Sequence, residues 1–413
     1  MGWTWRGDRE NCLSGYVGDA TGAQLRSAGE TEWDVVVVGA GVAGAYVAAH
    51  LAHFGARTLL VERDQFPRDK VCGCCLNDRA IAALVESPLE GVRQLVRAAQ
   101  PLAGMRLGAG GRTAELRFSA GMALSRHLLD AGLVKVAAEA GVKVMHGVQA
   151  RWQEENASWA VLKLQDQLGE VEVRARLIVA ADGLSSQLLA DATGETPTIK
   201  QGSLIGAGVV LAGKGIESFE PGLIHMACGF GGYVGLVRLE DGRLDLAMAC
   251  EADAVKQAGG LGALAGKLLR EAGWPEPEGM MDARWRGTPR LTRNPVKKGT
   301  PRLASVGDAG GYIEPFTGEG MGWALAGAHA QLPGLIARAL GKDGVIYKHS
   351  GIGLRGMACR ASAALLRHPR LVGWTVDWLR FAPWSAKPVA WLTGRGKRWR
   401  LDEPDSGLTG GGN

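Results

Sequence analysis

The hydrophobic pattern is most explicit between residues 34 and 62. An unbroken β-branched run at 35–38 predicts a strand buried on both faces, the alanine-rich stretch 42–54 a helix, and 58–61 a second parallel strand. Residues 1–32 show no period and predict a poorly ordered leader, with Trp3, Trp5 and Tyr16 as its large apolar side chains. After a charged, broken loop at 63–76, residues 77–85 turn helical, with Asn77 placed to cap them. Residues 101–119 alternate as a hairpin turning at 108–111. A helix at 125–140 follows, capped by Ser125 and ended by Gly141, and a strand at 142–145. A meander over 147–176 leads into the buried strand 176–180, and a helix begins at 184. Four alternating runs, 204–211, 222–228, 232–238 and 243–249, predict an antiparallel sheet; Glu240-Asp241-Gly242 turns between the last two. Residues 254–272 read as one helix, 282–300 as a basic connection, 303–306 as the last buried strand and 318–340 as a long apolar helix. The region 348–400 is helical and rich in tryptophan, and a polar glycine-rich tail closes the chain.

This order predicts an α/β architecture: a Rossmann-like nucleotide-binding domain with an inserted antiparallel-sheet domain and C-terminal helices. The first domain takes 33–100, 120–195 and 300–340, and the substrate-binding sheet takes 101–119 and 200–299. The C-terminal helices take 341–402 and the tail 403–413.

Composition narrows the class. With 413 residues, 46% hydrophobic and 22% charged, the chain has the make-up of a globular enzyme with room for two or three domains. A net charge of +5 spread over that length forms no concentrated basic patch, so nucleic acid is not expected as a partner. Seven cysteines, three of them at Cys72, Cys74 and Cys75, do not space out a disulfide framework and fit a reducing cytoplasm. No C-x-x-C pair recurs and no histidine pair stands at ligand spacing, so a zinc site is not expected. Neither a signal peptide nor an apolar segment long enough to span a bilayer is visible.

The candidate chemistry lies at the ends of the buried strands. Gly39, Gly41 and Gly44 follow the first strand in G-x-G-x-x-G spacing, with Val42 and Ala43 opening the helix whose free N–H groups suit a pyrophosphate. Glu62, followed by Arg63, ends the second strand where an acid takes a ribose hydroxyl pair. Ala181-Asp182-Gly183 and Gly307-Asp308 end two further buried strands.

Three such motifs in this order resemble the flavoprotein superfamily of aromatic hydroxylases, flavin halogenases and geranylgeranyl reductases, over residues 34–340. The resemblance implies the para-hydroxybenzoate hydroxylase fold and bound FAD. Asp308 would hold the ribityl chain, the helix start at Gly318, Gly320 and Met321 would face the flavin pyrimidine edge, and Arg126 would reach the cofactor. Asp182 would join structure to the cofactor or the substrate path. The segment 307–321 and the loop Phe66-Pro67-Arg68-Asp69-Lys70-Val71-Cys72-Gly73 look most like the reductase branch. Gly310 and Gly311 replace the histidine usual in hydroxylases, and Cys74-Cys75 replaces that branch's glycines.

The activity this implies is reduction of a carbon-carbon double bond in a hydrophobic, isoprenoid- or polyketide-like substrate, with NAD(P)H as a transient electron donor. Cys72, Tyr233 and Glu319 are the candidate catalytic groups, with Tyr312 beside them; His225 reads as a core-edge residue. One rival is a flavin monooxygenase acting on a phenolic metabolite. Another is a prenyl-binding escort without flavin. For the tryptophan-rich end, with Trp374, Trp378 and Trp391, helices packed over the substrate domain are the favoured reading. Peripheral membrane contact is the alternative.

Overall fold

The computed structural model describes residues 22–66, 68–185, 187–294, 296, 300–312, 320–342 and 369–386. Helix α1 (Gly22–Glu30) corrects the expectation of a poorly ordered leader for its last eleven residues. Leu25 and Ala28 are buried, and the Trp33 indole N–H donates to the Ala28 carbonyl at 3.0 Å. An aperiodic nine-residue helix is held by its packing, which sequence period does not reveal. Residues 1–21 lie outside the described residues.

β1 (Glu32–Val38), α2 (Val42–His53) and β2 (Thr58–Glu62) form the βαβ unit, with β1 and β2 parallel and Val35 opposite Thr58. Val35, Val36 and Val37 are fully buried, and burying each such side chain contributes roughly 1.5–3 kcal/mol. β3 (Cys75–Leu76), α3 (Asp78–Val85) and α4 (Glu90–Arg97) follow; Asn77 caps α3 as expected, its Oδ1 accepting from the Ala80 N–H at 3.1 Å. β4 (Gln100–Ala109) and β5 (Arg112–Ala123) are the expected hairpin, but β5 runs four residues beyond 119 and pairs with β3. Residues 75–76 and 120–123 therefore belong to the second sheet, not to the nucleotide-binding part. Gly121 makes this crossing feasible, with φ +94° and the space for a Cβ taken by the Leu76 carbonyl oxygen 2.0 Å away.

Next come α5 (Arg126–Glu139), β6 (Lys143–His146), β7 (Gln149–Glu155), β8 (Ala160–Gln165), β9 (Glu170–Ala180) and α6 (Gln187–Thr193). β10 (Ile205–Leu211), β11 (Leu223–Gly229), β12 (Gly232–Arg238) and β13 (Leu244–Cys250) realise the four alternating runs. The helix expected over 254–272 is two, α7 (Ala252–Ala258) and α8 (Leu261–Ala272). Gly259 and Gly260, at φ +90° and +141°, break it, because consecutive residues in that region cannot continue a right-handed helix. The connection 282–300 contains a strand, β14 (Arg286–Arg290). β15 (Leu303–Ser305), α9 (Gly320–Ala339) and α10 (Pro369–Phe381) complete the described elements.

Among the described residues two sheets result. The first has the order β6-β2-β1-β9-β8-β7, with β15 on the other side of β9; its β6, β2, β1, β9 and β15 pairings are parallel. The second has the order β14-β10-β13-β12-β11-β4-β5-β3, antiparallel except where β11 meets β4. α2, α5 and α9 pack on the first sheet, and α8 covers the outer face of the second. The two sheets thus leave one cavity at the carboxyl ends of β1, β9 and β15, where doubly wound folds place ligands.

Candidate active site: the cavity between the sheets

The three motifs converge through backbone contacts. The Gly39 N–H donates to the Val61 carbonyl at 2.7 Å, and the Ala181 N–H donates to that of Val38 at 2.8 Å. At Gly39 (φ +104°) a Cβ would lie 2.3 Å from the Ala181 oxygen, and at Gly44 it would lie 1.9 Å from the Gly39 oxygen. A Cβ on Gly307 would touch that of Ala43 at 3.0 Å. Gly41 is different: its nearest neighbours would be Arg126 Nη2 and Lys70 Nζ, both at 3.7 Å. That leaves a cradle with backbone on one side and two cations on the other, the environment a pyrophosphate requires. Val42 and Ala43 continue the cradle into α2.

Glu62 ends β2 as expected, but its carboxylate already has partners. Oε2 accepts from the Ala40 N–H at 2.8 Å and from Arg68 Nη2 at 3.1 Å, and Oε1 accepts from the Asp64 N–H at 3.1 Å. Glu62 therefore ties the glycine loop to the following segment while it lines the cavity. Arg63 also borders the cavity, its side chain two-thirds exposed.

Arg126 begins α5, whose cap, Ser125, accepts from the Leu128 N–H at 3.1 Å and donates to Glu240 Oε1 at 2.6 Å. The guanidinium is buried and forms a two-pronged pair with Asp130, Nε and Nη2 each at 2.8 Å from a carboxylate oxygen. Arg68 lies between Asp130 (3.6 Å) and Glu62, so a chain of four buried charges supports the cradle. Sequence reading missed Asp130, although its i,i+4 spacing from Arg126 was a usable signal. It also assigned no cofactor contact to Lys70, which projects into the cavity and lies close to Gly41 and Gly183. Enclosure by protein and the Arg126 charge lower the Lys70 ammonium, and Asp308 opposes them.

Asp308 lies across the cavity in a single helical turn after β15. Enclosure raises its carboxyl, and the Lys70 and Arg126 charges pull against that rise. Asp182 accepts from the Leu188 N–H at 3.2 Å through Oδ2, its Oδ1 is buried without a protein partner, and burial raises its carboxyl. Gly183 (φ +73°) turns the chain beside it. Gly320 and the buried Met321 open α9 against the cavity, whereas Gly318 and Glu319 lie outside the described residues.

Beyond this polar end the cavity, about 600 Å³ in all, becomes apolar. Met105, Ile224, Met226, Tyr233, Ala249 and Leu291 line it from the second sheet, with Tyr312 at its edge. Cys72 lies on the wall between the two ends. The hydrogen bond from Cys74, opposed by burial and aided by Arg126, brings its thiol down to about 6. His225 is a core residue, as expected: it is buried, its ring meets Phe219 edge-on at 5.3 Å, and burial pushes it down to about 4.

The residues present fit a bound FAD. The Gly41 cradle accepts a pyrophosphate beside two cations, the Asp182 oxygen is free of protein partners, and an acid stands at the end of each of β2 and β9 and just after β15.

Comparison with known proteins agrees. A family model described as an FAD binding domain matches residues 32–218. Menaquinone reductase of Mycobacterium tuberculosis is 35% identical over 162 residues, 38% of each chain, so this match spans well under half of that relative. Digeranylgeranylglycerophospholipid reductase 2 of Methanothermobacter thermautotrophicus is 28% identical over 317 residues, covering 74% of this chain and 78% of its own. A flavoprotein/dehydrogenase from Cytophaga hutchinsonii has the same fold, with a TM-score of 0.70 at 18% identity over 88% of this chain and 93% of its own. Residues 32–218 thus match an FAD binding domain, and most of the chain is similar to a digeranylgeranylglycerophospholipid reductase and shares the fold of a flavoprotein.

Proposed function

We propose that the protein is an NAD(P)H-driven reductase of a carbon-carbon double bond in a hydrophobic, isoprenoid- or polyketide-like substrate. The observation that carries this reading is the continuity of one cavity, from the Gly41, Arg126 and Asp308 end to a wall of Met105, Ile224, Met226, Ala249 and Leu291. A bound FAD supplies two-electron chemistry there. Gly39, Gly41, Val42, Ala43, Gly44, Glu62, Arg63, Arg126, Asp182, Gly183, Gly307, Asp308, Gly318, Gly320 and Met321 are the residues proposed to hold it.

The chain's own residues then have separable tasks. Lys70 and Arg126 neutralise the phosphates, and the aliphatic wall excludes water and aligns a greasy chain. The Cys74 thiol, hydrogen-bonded to Cys72 Sγ, holds a proton at the junction of the two ends, and Cys72 Sγ passes it toward the cavity. Tyr233, which also lines the cavity, orients the substrate, and Glu319 is proposed as a further proton donor.

The aromatic stripe of α10 supports the further proposal that the protein meets an anionic lipid surface. Val372, Val376 and Leu379 pack against the second sheet, which accounts for one face only. Trp374 (76% exposed), Trp378 (57%) and Phe381 (85%) are left outward beside Arg380, the composition of an interfacial helix. Trp391 lies outside the described residues.

The test is an anaerobic incubation of the flavin-loaded protein with NADPH or NADH and a panel of polyprenyl compounds, read by product mass. A gain of about 2 Da without oxygen supports the reductase. A product formed only in air, heavier by about 16 Da, moves the assignment to a monooxygenase. Protein that neither retains nor takes up flavin supports the escort.

A further inference from the structure

Cys74 is the non-glycine residue that the described structure holds at positive φ, +50°. Such a conformation costs on the order of 1–3 kcal/mol and persists where its surroundings impose it. The Cys74 thiol in this conformation hydrogen-bonds the sulfur of Cys72. Consecutive Cα atoms are 3.8 Å apart, so two cysteines separated by Gly73 have Cα atoms at most about 7 Å apart, near the upper end of disulfide spacing. Cys72 faces the cavity, and Cys74 lies buried behind it.

Two further groups complete the cluster. Arg126 hydrogen-bonds Cys72, and its positive charge favours a thiolate and a departing anion. Asp245 on β13 comes from the opposite side. It hydrogen-bonds Cys74, its Oδ2 is buried without a partner, and burial raises its carboxyl well above the usual range. The shared hydrogen bond and burial likewise raise the Cys74 thiol, so Cys74 keeps its proton while Cys72 gives up its own. A reactive, reachable thiolate beside a protonated second thiol is the arrangement of an attacking and a resolving cysteine.

We propose that Cys72 and Cys74 are a dithiol redox site on the cavity wall that reduces a hydroperoxide. The Cys72 thiolate attacks one peroxide oxygen; an S–O bond forms, the O–O bond breaks, and the departing oxygen takes one proton and leaves as water or an alcohol. The Cys74 sulfur then attacks Cys72; the S–S bond forms, the S–O bond breaks, and the hydroxyl leaves as water with the Cys74 proton. Two electrons pass from the two sulfurs to the peroxide. The resulting disulfide removes the proton held by the Cys74 thiol, and a dithiol reductant restores it.

The experiment treats the flavin-loaded full chain with one equivalent of hydrogen peroxide, alkylates it with N-ethylmaleimide and maps the peptide containing residues 72–75. The expected result is loss of two alkylatable thiols and a Cys72–Cys74 peptide about 2 Da lighter than the dithiol form, reversed by dithiothreitol. In Cys74→Ser, dimedone should instead trap Cys72 as its sulfenic acid, and Cys75→Ser should behave as the parent. Cys72 and Cys74 still alkylatable after peroxide, or Cys72 linked to Cys75, overturns the proposal. Mapping of the parent chain decides the matter even if a variant does not fold. Because the readout is a peptide mass, the double-bond reductase reading and this one can fail independently.

Discussion

Gly41 and Gly44 stand three residues apart in one motif, and their substitution separates binding from folding. A side chain at Gly41 meets two flexible side-chain ends at 3.7 Å, whereas one at Gly44 meets backbone at 1.9 Å. Gly41→Val is expected to fold, with an apo-protein melting temperature close to that of the parent, and to lose FAD. Gly44→Val is expected to cost on the order of 3 kcal/mol or more. Flavin absorbance and a thermal scan check both; a Gly41→Val variant with stoichiometric flavin contradicts the pyrophosphate assignment. The Arg126–Asp130 pair makes a second residue-scale test. Arg126→Met leaves the Asp130 carboxylate inadequately paired in the interior, a loss of about 3–5 kcal/mol. Arg126→Met combined with Asp130→Leu should recover most of it in urea unfolding of the apo-protein, and a double variant no better than the single one contradicts the pairing.

Two buried histidines set the acid limit. The His50 Nδ1–H donates to the Tyr46 carbonyl at 2.7 Å and its Nε2 accepts from Ser87 Oγ at 2.9 Å, so the ring is satisfied while neutral. Burial lowers both His50 and His225 from 6.5 to about 4. Between those values the unfolded chain binds a proton at each ring and the folded chain does not, so stability falls as pH falls. The loss is on the order of 2–3 kcal/mol per histidine and is complete near pH 4. Urea midpoints at pH 7.5 and pH 5 for the parent and for His50→Gln check this, because the raised carboxyls of Asp245 and Asp308 act with the opposite sign in both; a pH dependence unchanged in the variant contradicts it.

At the scale of elements, what could be read in the sequence was whatever is encoded locally. The β-branched run, the glycines and Glu62 predicted the β1-α2-β2 unit because each acts within thirty or so residues of the others. Asn77 and Ser125 were legible as caps for the same reason. What was missed depends on distant partners: α1 is held by β9, β5 extends to meet β3, and Cys74 meets Asp245 from another sheet strand. The α7–α8 break was locally encoded in Gly259-Gly260 and was outweighed by apolar periodicity on both sides. Ser125 joins both kinds, since its hydroxyl caps α5 and donates to Glu240 in the β12–β13 turn. Ser125→Ala should therefore cost about 2 kcal/mol, more than a solvent-facing cap is usually worth, with Glu240→Gln intermediate. Equal stability of Ser125→Ala and the parent in urea would show that the turn does not anchor α5.

At the scale of the whole molecule, the two sheets enclose a cavity with a charged end and an apolar end, and one outer face carries aromatic side chains. Among the described residues no helix is long and apolar enough to cross a membrane. Replacing Trp374 and Trp378 together by serine should cut co-sedimentation with phosphatidylglycerol vesicles severalfold and leave flavin content unchanged. Undiminished binding would assign the stripe another partner.

In the proposed reaction, electrons entering this cavity end in a carbon-carbon bond without dioxygen. The most direct measurement follows NAD(P)H consumption by the flavin-loaded protein under strict anaerobiosis, with and without a polyprenyl alkene, together with the product mass. The account predicts consumption that depends on the alkene, and a product two hydrogens heavier, about 2 Da. Consumption that depends on air, with oxygen found in the product, would contradict it.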